Sequence, residues 1–466
     1  MTSTPMFRPA RTFVRAAAAS LATLALAACS GVLEVDNPNN VTSDALTNPA
    51  AAGTIINGAE NSAVRAMQSI YTPYAAITDE TIFRGSRDDY QQLDQGQAGN
   101  QANEYTNAAS FNVNEARWLA DNAVKLLEGF QKAGKLSDDA FLERAYLNKA
   151  VMYALIGDMY DDFTISDRTV AGAPVGETNM SKMYDSAQSA VSKGLAMNGD
   201  LRPTLLAMSA RVKHAKGVWA KLNPVPANPT NPLVSDNGYA ADAAAALAAG
   251  FTSHDVLVTS VNQGNPPFGF ELNNRVEITT SPFFTALGST NKPSAMVLKD
   301  IVESTRQEPF STENVALVNL AACTPTNCAY SGDPNLPPLR VVSDNEMRLL
   351  IAEAKLAAGD NAGFDAAINT FRAAKGLAPA YVGGVLQGTS GLSRSDVLQW
   401  ERRVALLFMG RRLNDMYRWK VVDPNWNANS TAVRQPGCLF PIGFSERESN
   451  DLLNGVKGTK YVGVCR

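Results

Sequence analysis

The chain has 466 residues, 45% hydrophobic and 18% charged, with 33 Gly and 24 Pro; this excludes a disordered, collagenous or membrane-embedded protein. Forty-one Lys and Arg against 45 Asp and Glu give a net charge of -4, without the positive excess that nucleic acid demands, so nucleic acid is not expected as a partner. The two histidines, His214 and His254, leave triads and zinc sites little material, and neither a metal nor a cofactor is expected.

In chain order, residues 1–28 read as a targeting segment. Arg8, Arg11 and Arg15 form a basic start, and Ala16 to Ala28 is an apolar run of 13 residues, too short to span a bilayer as a helix. Leu26-Ala27-Ala28-Cys29 follows, with small residues for a narrow peptidase site and a thiol for thioether lipidation. This resembles a bacterial lipobox and makes Cys29 the expected lipidation site. Removing residues 1–28 leaves 38 basic against 45 acidic side chains. No further long apolar run follows, so the mature chain is expected to be anchored to a membrane rather than to cross it.

Residues 29–222 read as a helical region. Stretches near 48–71, 112–133, 137–163, 179–198 and 201–222 are rich in Ala, Leu and Met with few interior breakers. Residues 223–340 differ: Asn223-Pro-Val-Pro-Ala-Asn-Pro-Thr-Asn-Pro232 cannot be helical, and Pro266-Pro267, Pro282, Pro325 and Pro337-Pro338 continue the pattern. Only short β-like runs, Val256–Val261 and Arg275–Thr280, punctuate what is expected to be a long irregular insert.

Residues 341–466 return to helical periodicity. Ser343-x-x-Glu346 forms a capping box ahead of Met347, Leu350, Ile351, Ala354 and Ala358; Gly359-Asp360 breaks the run; Phe364, Ala367, Ile368 and Phe371 then lead to a C-cap at Gly376. This is a helix hairpin of tetratricopeptide length, which must stack on neighbours to bury its apolar face. The expected fold is mostly α, tetratricopeptide-like hairpins with an irregular insert containing short β elements.

Besides Cys29, the cysteines are Cys323, Cys328, Cys438 and Cys465. In an exported chain an even number reads as two disulfides. Of three pairings, the local ones, Cys323 with Cys328 and Cys438 with Cys465, are favoured. Closing a loop of 27 residues, the second would contribute about 3–4 kcal/mol. Metal ligation is the rival, but there is no C-x-x-C spacing.

Leu33-Glu34-Val35-Asp36-Asn37-Pro38-Asn39-Asn40 is similar to the opening segment of SusD-like (RagB-type) outer-membrane nutrient-uptake lipoproteins. From Ser393, Glu401-Arg402-Arg403, Leu406, Phe408, Gly410, Arg412, Asp415 and Arg418-Trp419 stand where that family has E-R-R-x-x-L-x-F-x-G-x-R-x-x-D-x-x-R-W, and Leu439-Phe440-Pro441-Ile442 resembles its closing F-P-I-P segment. Ala405 and Met409 replace acids common there, and Gly443 replaces the last proline. The resemblance implies a lipid-anchored, surface-exposed outer-membrane protein that is not an enzyme. It would bind an oligosaccharide or other nutrient and pass it to a SusC-type TonB-dependent transporter. The alternatives are an interaction scaffold and a binder of peptide or another non-sugar nutrient.

Read for chemistry, the 401–419 stretch is expected to be one charged scaffold helix. Arg411 and Asp415 sit at i,i+4, and Val397, Trp400, Val404, Leu407 and Phe408 supply its buried stripe. On one helix, Glu401 and Asp415 would lie about 21 Å apart, too far to cooperate as glycosidase carboxylates. Ligand contacts are expected instead from loop aromatics with polar neighbours, since sugars stack C–H faces on rings while Asp, Asn and Arg hydrogen-bond their hydroxyls. Two stretches fit: Tyr71 to Tyr90, with Tyr74, Phe83, Arg84, Asp88 and Tyr90, and Phe268 to Phe284, with Phe268, Phe270, Asn273 and Phe283. These rings are expected to line one shallow surface, although core packing is the ordinary fate of any single one.

Overall fold

The structure, a computed structural model, describes residues 45–167, 170–258, 267–285, 338–387, 392–463 and 465. The targeting segment, Cys29, Cys323 and Cys328 lie outside the described residues. Residues 1–51 form a separate unit, described only in two 3-10 turns, Ala45–Thr47 and Pro49–Ala51. Everything below concerns residues 52–466.

The scaffold is a succession of antiparallel helices: α1 Ala52–Ala76, α2 Asp88–Asp94, α3 Glu104–Lys132, α4 Ala140–Met159, α5 Ser181–Met197, α6 Arg202–Leu222, α7 Tyr239–Ala248, α8 Asp344–Ala357 and α9 Asn361–Ala374. Setting aside the short α2, each long helix packs on the next, α1 on α3, α3 on α4, and so on to α8 on α9. That is how tetratricopeptide-like hairpins bury faces they cannot bury alone. The central helix α4 is apolar on nearly every side, and all residues from Leu142 to Met159 except Arg144 and Lys149 are buried: Ala145, Ala150, Met152, Ala154 and Ile156 show 0% exposure. A helix hydrophobic all round belongs in the middle of a stack.

Helix ends follow their local chemistry. Asn103 starts α3 by accepting from the N–H groups of Tyr105 and Thr106, both at 3.1 Å, eight residues before the expected boundary. Ser343 accepts from Glu346 N at 3.3 Å to start α8, and Gly359 and Gly376 take φ of +76° and +68° just past α8 and α9. The expectation for 48–71 stopped short of Pro73, but α1 runs on to Ala76 with Pro73 inside it. A proline removes one N–H donor, and Ile77 N still bonds Pro73 O at 3.2 Å.

The insert is less irregular than its prolines suggest. The Ala-rich run at Tyr239–Ala248 forms α7, which packs between α6 and α8. Strand β2 (Ser253–Val256) then pairs antiparallel with β4 (Leu339–Ser343), returning the chain to the scaffold at the start of α8. Strand β1 (Thr81–Phe83), just after α1, pairs antiparallel with β3 (Ile278–Thr280), Phe83 opposite Ile278. A last pair, β5 (Tyr381–Val382) and β6 (Val385–Leu386), forms a small hairpin.

The expected single helix over 401–419 is two, α10 (Arg394–Ala405) and α11 (Arg412–Trp419). Between them Phe408 and Gly410 take φ of +58° and +71°. A Cβ at Gly410 would meet Met159 Cε at 2.5 Å, so the turn needs glycine for both its backbone and its close approach. Cys438 and Cys465 are disulfide-bonded, with Cα atoms 5.7 Å apart. No helix among the described residues is long and apolar enough to cross a membrane.

Candidate ligand-binding site

The break between α10 and α11 spreads the charged motif over five scaffold elements. Glu401 pairs with Arg372 of α9. Arg402 and Arg418 both hold Asp415, each at 2.8 Å, and Arg418 also grips Glu353 of α8, which His214 of α6 contacts at 3.0 Å. Arg411 pairs with Glu346 of α8 at 2.8 Å, not with Asp415 as i,i+4 spacing suggested. Arg412 forks onto Asp79, just beyond α1, at 2.6 and 2.7 Å. Burial alone would raise the Glu353 carboxyl, but Arg418 and His214 hold it well below the usual range. Glu401 is fully buried and Asp415 is 3% exposed, each in its own ion pairs. The 21 Å helical separation does not apply, and these carboxylates clamp the scaffold rather than share a cleft.

Arg403 differs from its neighbours. Its Nη2 bonds Asp79 at 2.9 Å, its side chain keeps 22% exposure, and its guanidinium carbon lies 3.5 Å from the centre of the Phe283 ring. Burial brings it down to about 10. Phe283 also meets Trp400 edge-on at 5.2 Å. Because β1 pairs with β3, Phe83 and Arg84 are carried to the same place, and together they bound a cleft of about 560 Å³. Its other walls include Asp94, Ser281 and the segment Val421–Asn425 after α11.

Of the residues expected from sequence, the structure brings Phe83, Arg84 and Phe283 together in this cleft. It corrects three others. Tyr74 is 1% exposed because α1 continues past Pro73, and it meets Phe440 edge-on. Tyr90, 1% exposed within α2, stacks on Tyr105 at 3.8 Å. Phe268 is fully buried between Tyr71 and Phe408. All three sit in helical turns that point rings inward, where the expectation had loops. Asp88, exposed at the start of α2, and half-buried Phe270 are not on the cleft wall. The side chain of Asn273 lies outside the described residues.

Sequence reasoning missed Arg403 as a cleft residue, and Asp94, Val422, Asp423 and Asn425 altogether. The Asp-Pro-Asn turn after Arg418-Trp419 was a usable signal, as was Val422, 58% exposed. The cleft closes its charges internally. Asp79 is shared by Arg403 and Arg412, and Arg84 offsets Asp94, which accepts from Phe83 N at 3.2 Å. Burial raises the Asp94 carboxyl. Burial, with Asp79 and Asp94 alongside, pushes Asp423 up to about 6. Such a site, two half-buried rings among amide, carboxylate and guanidinium groups, can stack and hydrogen-bond a small polar ligand.

Stacked hairpins locked to two C-terminal helices by arginine–carboxylate pairs, with a cleft at the seam, define a SusD-like fold. The SusD family model matches residues 342–436, which hold the clamp's α8, α9, α10 and α11. No curated protein matches the chain. Among solved structures, a SusD homolog from Bacteroides thetaiotaomicron VPI-5482 is 12% identical, with a TM-score of 0.57 over 84% of this chain and 92% of its own. A SusD superfamily protein from Parabacteroides distasonis ATCC 8503 is 13% identical, TM-score 0.55, over 89% and 99%. A SusD-like carbohydrate binding protein from Bacteroides vulgatus ATCC 8482 is 13% identical, TM-score 0.50, over 80% and 83%. The family match is confined to residues 342–436, and the solved structures show that the fold as a whole is SusD-like.

Proposed function

We propose that the protein captures a nutrient, an oligosaccharide first among the candidates, in the cleft bounded by Phe83, Arg84 and Phe283, without catalysing a reaction on it. The observation that carries this is the β1–β3 pairing, which joins two aromatic–polar segments distant in sequence into one concavity. The printed description of the Bacteroides vulgatus neighbour as carbohydrate binding supports the sugar reading. Cys29 lipidation would hold the protein at the outer membrane, on the cell surface, where a SusC-type TonB-dependent transporter would receive the ligand. Calorimetry with an oligosaccharide panel tests the reading: Phe283→Ala and Arg84→Ala should each weaken binding about fivefold to tenfold with little change in Tm. Undiminished binding in both variants would move the site elsewhere.

A docking role has its own support. Phe111 (69% exposed), Phe444, Leu452, Val456 (71%) and Val462 are exposed on segments tied together by hydrogen bonds from Asn107 to Ser445 and from Gly443 to Ser110. Exposed apolar side chains grouped this way suit a protein partner. Phe111→Ser with Val456→Ser should release a co-purifying β-barrel transporter while leaving ligand affinity intact; a complex that survives unchanged counts against this face.

A further inference from the structure

Asp423 sits in the turn that follows α11. Its Oδ1 accepts from Asn425 N at 2.8 Å, and Trp426 N returns to its carbonyl at 3.0 Å. Trp426 Nε1 in turn donates to Ile77 O at 2.9 Å, fixing the turn to the end of α1. The residue is 5% exposed and makes no salt bridge among the described residues. Its Oδ2 has no hydrogen-bond partner among them, although Asp423 lines the cleft.

The surrounding charges are already engaged. Arg403, on α10, is bound to Asp79 and stacked on Phe283; Arg412, on α11, lies behind Asp79 with both its contacts on that carboxylate. Asp94 closes α2 across the cleft, and Arg84, exposed, stands at the rim after β1. A nearly buried carboxylate with one oxygen unengaged gains most from a ligand that donates a hydroxyl to it, and it opposes a ligand that brings a second negative charge.

Resting on the glycan reading above, we propose that Asp423 is the specificity-determining acceptor of the cleft, selecting uncharged polyhydroxylated ligands over acidic ones. The raised carboxyl, near 6, sets where this selection operates. Above that pH the ionised form accepts hydroxyls and repels acids. Below it the proton weakens the first effect and removes the second.

Calorimetry with maltohexaose, cellohexaose, xylohexaose and mannohexaose on one side and hexagalacturonate on the other tests this. The wild type should bind at least one neutral probe tenfold or more tightly than hexagalacturonate at pH 7.5, and the ratio should shrink at pH 5. Asp423→Asn keeps the Oδ1 acceptor for Asn425 N; it should lose about tenfold in neutral-probe affinity and flatten the pH dependence. A wild type that favours hexagalacturonate, or an Asp423→Asn variant with unaltered selectivity and pH profile, overturns the assignment while leaving sugar binding intact. Absence of binding to every hexasaccharide by the wild type would instead remove the glycan reading and this inference with it.

Discussion

The interaction most open to a quantitative test is the one between Arg418 and Glu353. Glu353 is fully buried on α8, and it joins three segments: Arg418 of α11, His214 of α6, and the backbone of the insert, where Val234 N donates to Oε1 at 2.9 Å. Glu353→Ala would leave the fully buried Arg418 guanidinium with Asp415 but without its second carboxylate, and leave Val234 N without an acceptor. Removing one partner of a buried pair costs about 3–5 kcal/mol when the remaining charge is uncompensated, and the Asp415 contact of Arg418 keeps this loss toward the lower end. Arg418→Met should cost a similar amount. The double replacement Glu353→Met with Arg418→Met should cost clearly less than the sum, since neither charge is then left behind. Urea unfolding followed by far-UV circular dichroism measures all three. The Glu353 carboxyl is held well below its ordinary range, so its contribution is present above the unfolded-state pKa and lost only as pH falls through the lower folded value. The wild type should therefore keep this stabilisation at pH 5. Single variants that lose under about 1 kcal/mol, or a double variant whose loss equals the sum, would refute the view of this pair as a clamp.

Four other outcomes follow from the geometry. Glu80 is buried beside Asp79 and pushed up to about 7, chiefly by burial; an acid with a raised folded pKa destabilises as pH rises from its unfolded value through the folded one. Glu80→Gln keeps the acceptor for Phe408 N and should flatten the fall in stability between about pH 4.5 and 7, a window worth about 3 kcal/mol, in thermal melts against pH. Replacing both Cys438 and Cys465 by Ser should cost about 3–4 kcal/mol in urea unfolding, the chain-entropy value for a loop of 27 residues. Gly410→Ala should lower Tm by several degrees, since its Cβ would meet Met159 and its φ is positive. Cys29→Ser should move the protein from the membrane to the soluble fraction, or block processing, by fractionation and intact mass.

How far the sequence could be read depended on whether the controlling interaction was local. The α8–α9 hairpin was legible because its signals are adjacent residues: Ser343 at the cap, Gly359 and Gly376 at the ends, an apolar stripe between. The Ala-rich α7 was legible too, but the prolines around it drew the reading toward irregular chain. Pro73 and Gly410 misled in opposite directions. Pro73 ends nothing, because α1 forfeits a single hydrogen bond near its C-terminus; Gly410 sits in a break between α10 and α11 that the charge pattern reads straight through. Each outcome depends on a tertiary partner, the core around Tyr74 in one case and Met159 in the other, that spacing cannot reveal.

The same distinction explains the site. Aromatic and polar residues at 71–90 and 268–284 signalled a ligand surface, yet composition could not separate Phe283, half-buried under Arg403, from Phe268, enclosed by Tyr71 and Phe408. What sorts them is the register of β1 on β3 and the placement of α10, both long-range. Asp79 connects the two levels: its carboxylate ties α11 through Arg412 and α10 through Arg403 to the end of α1, and Arg403 carries the Phe283 ring. The arginine-rich motif therefore does more than hold helices together. Five of its charged groups are spent on the buried clamp, while Arg403 extends that clamp to the wall of the cleft, so that the scaffold fixes the position of the Phe283 ring in the cleft proposed for ligand.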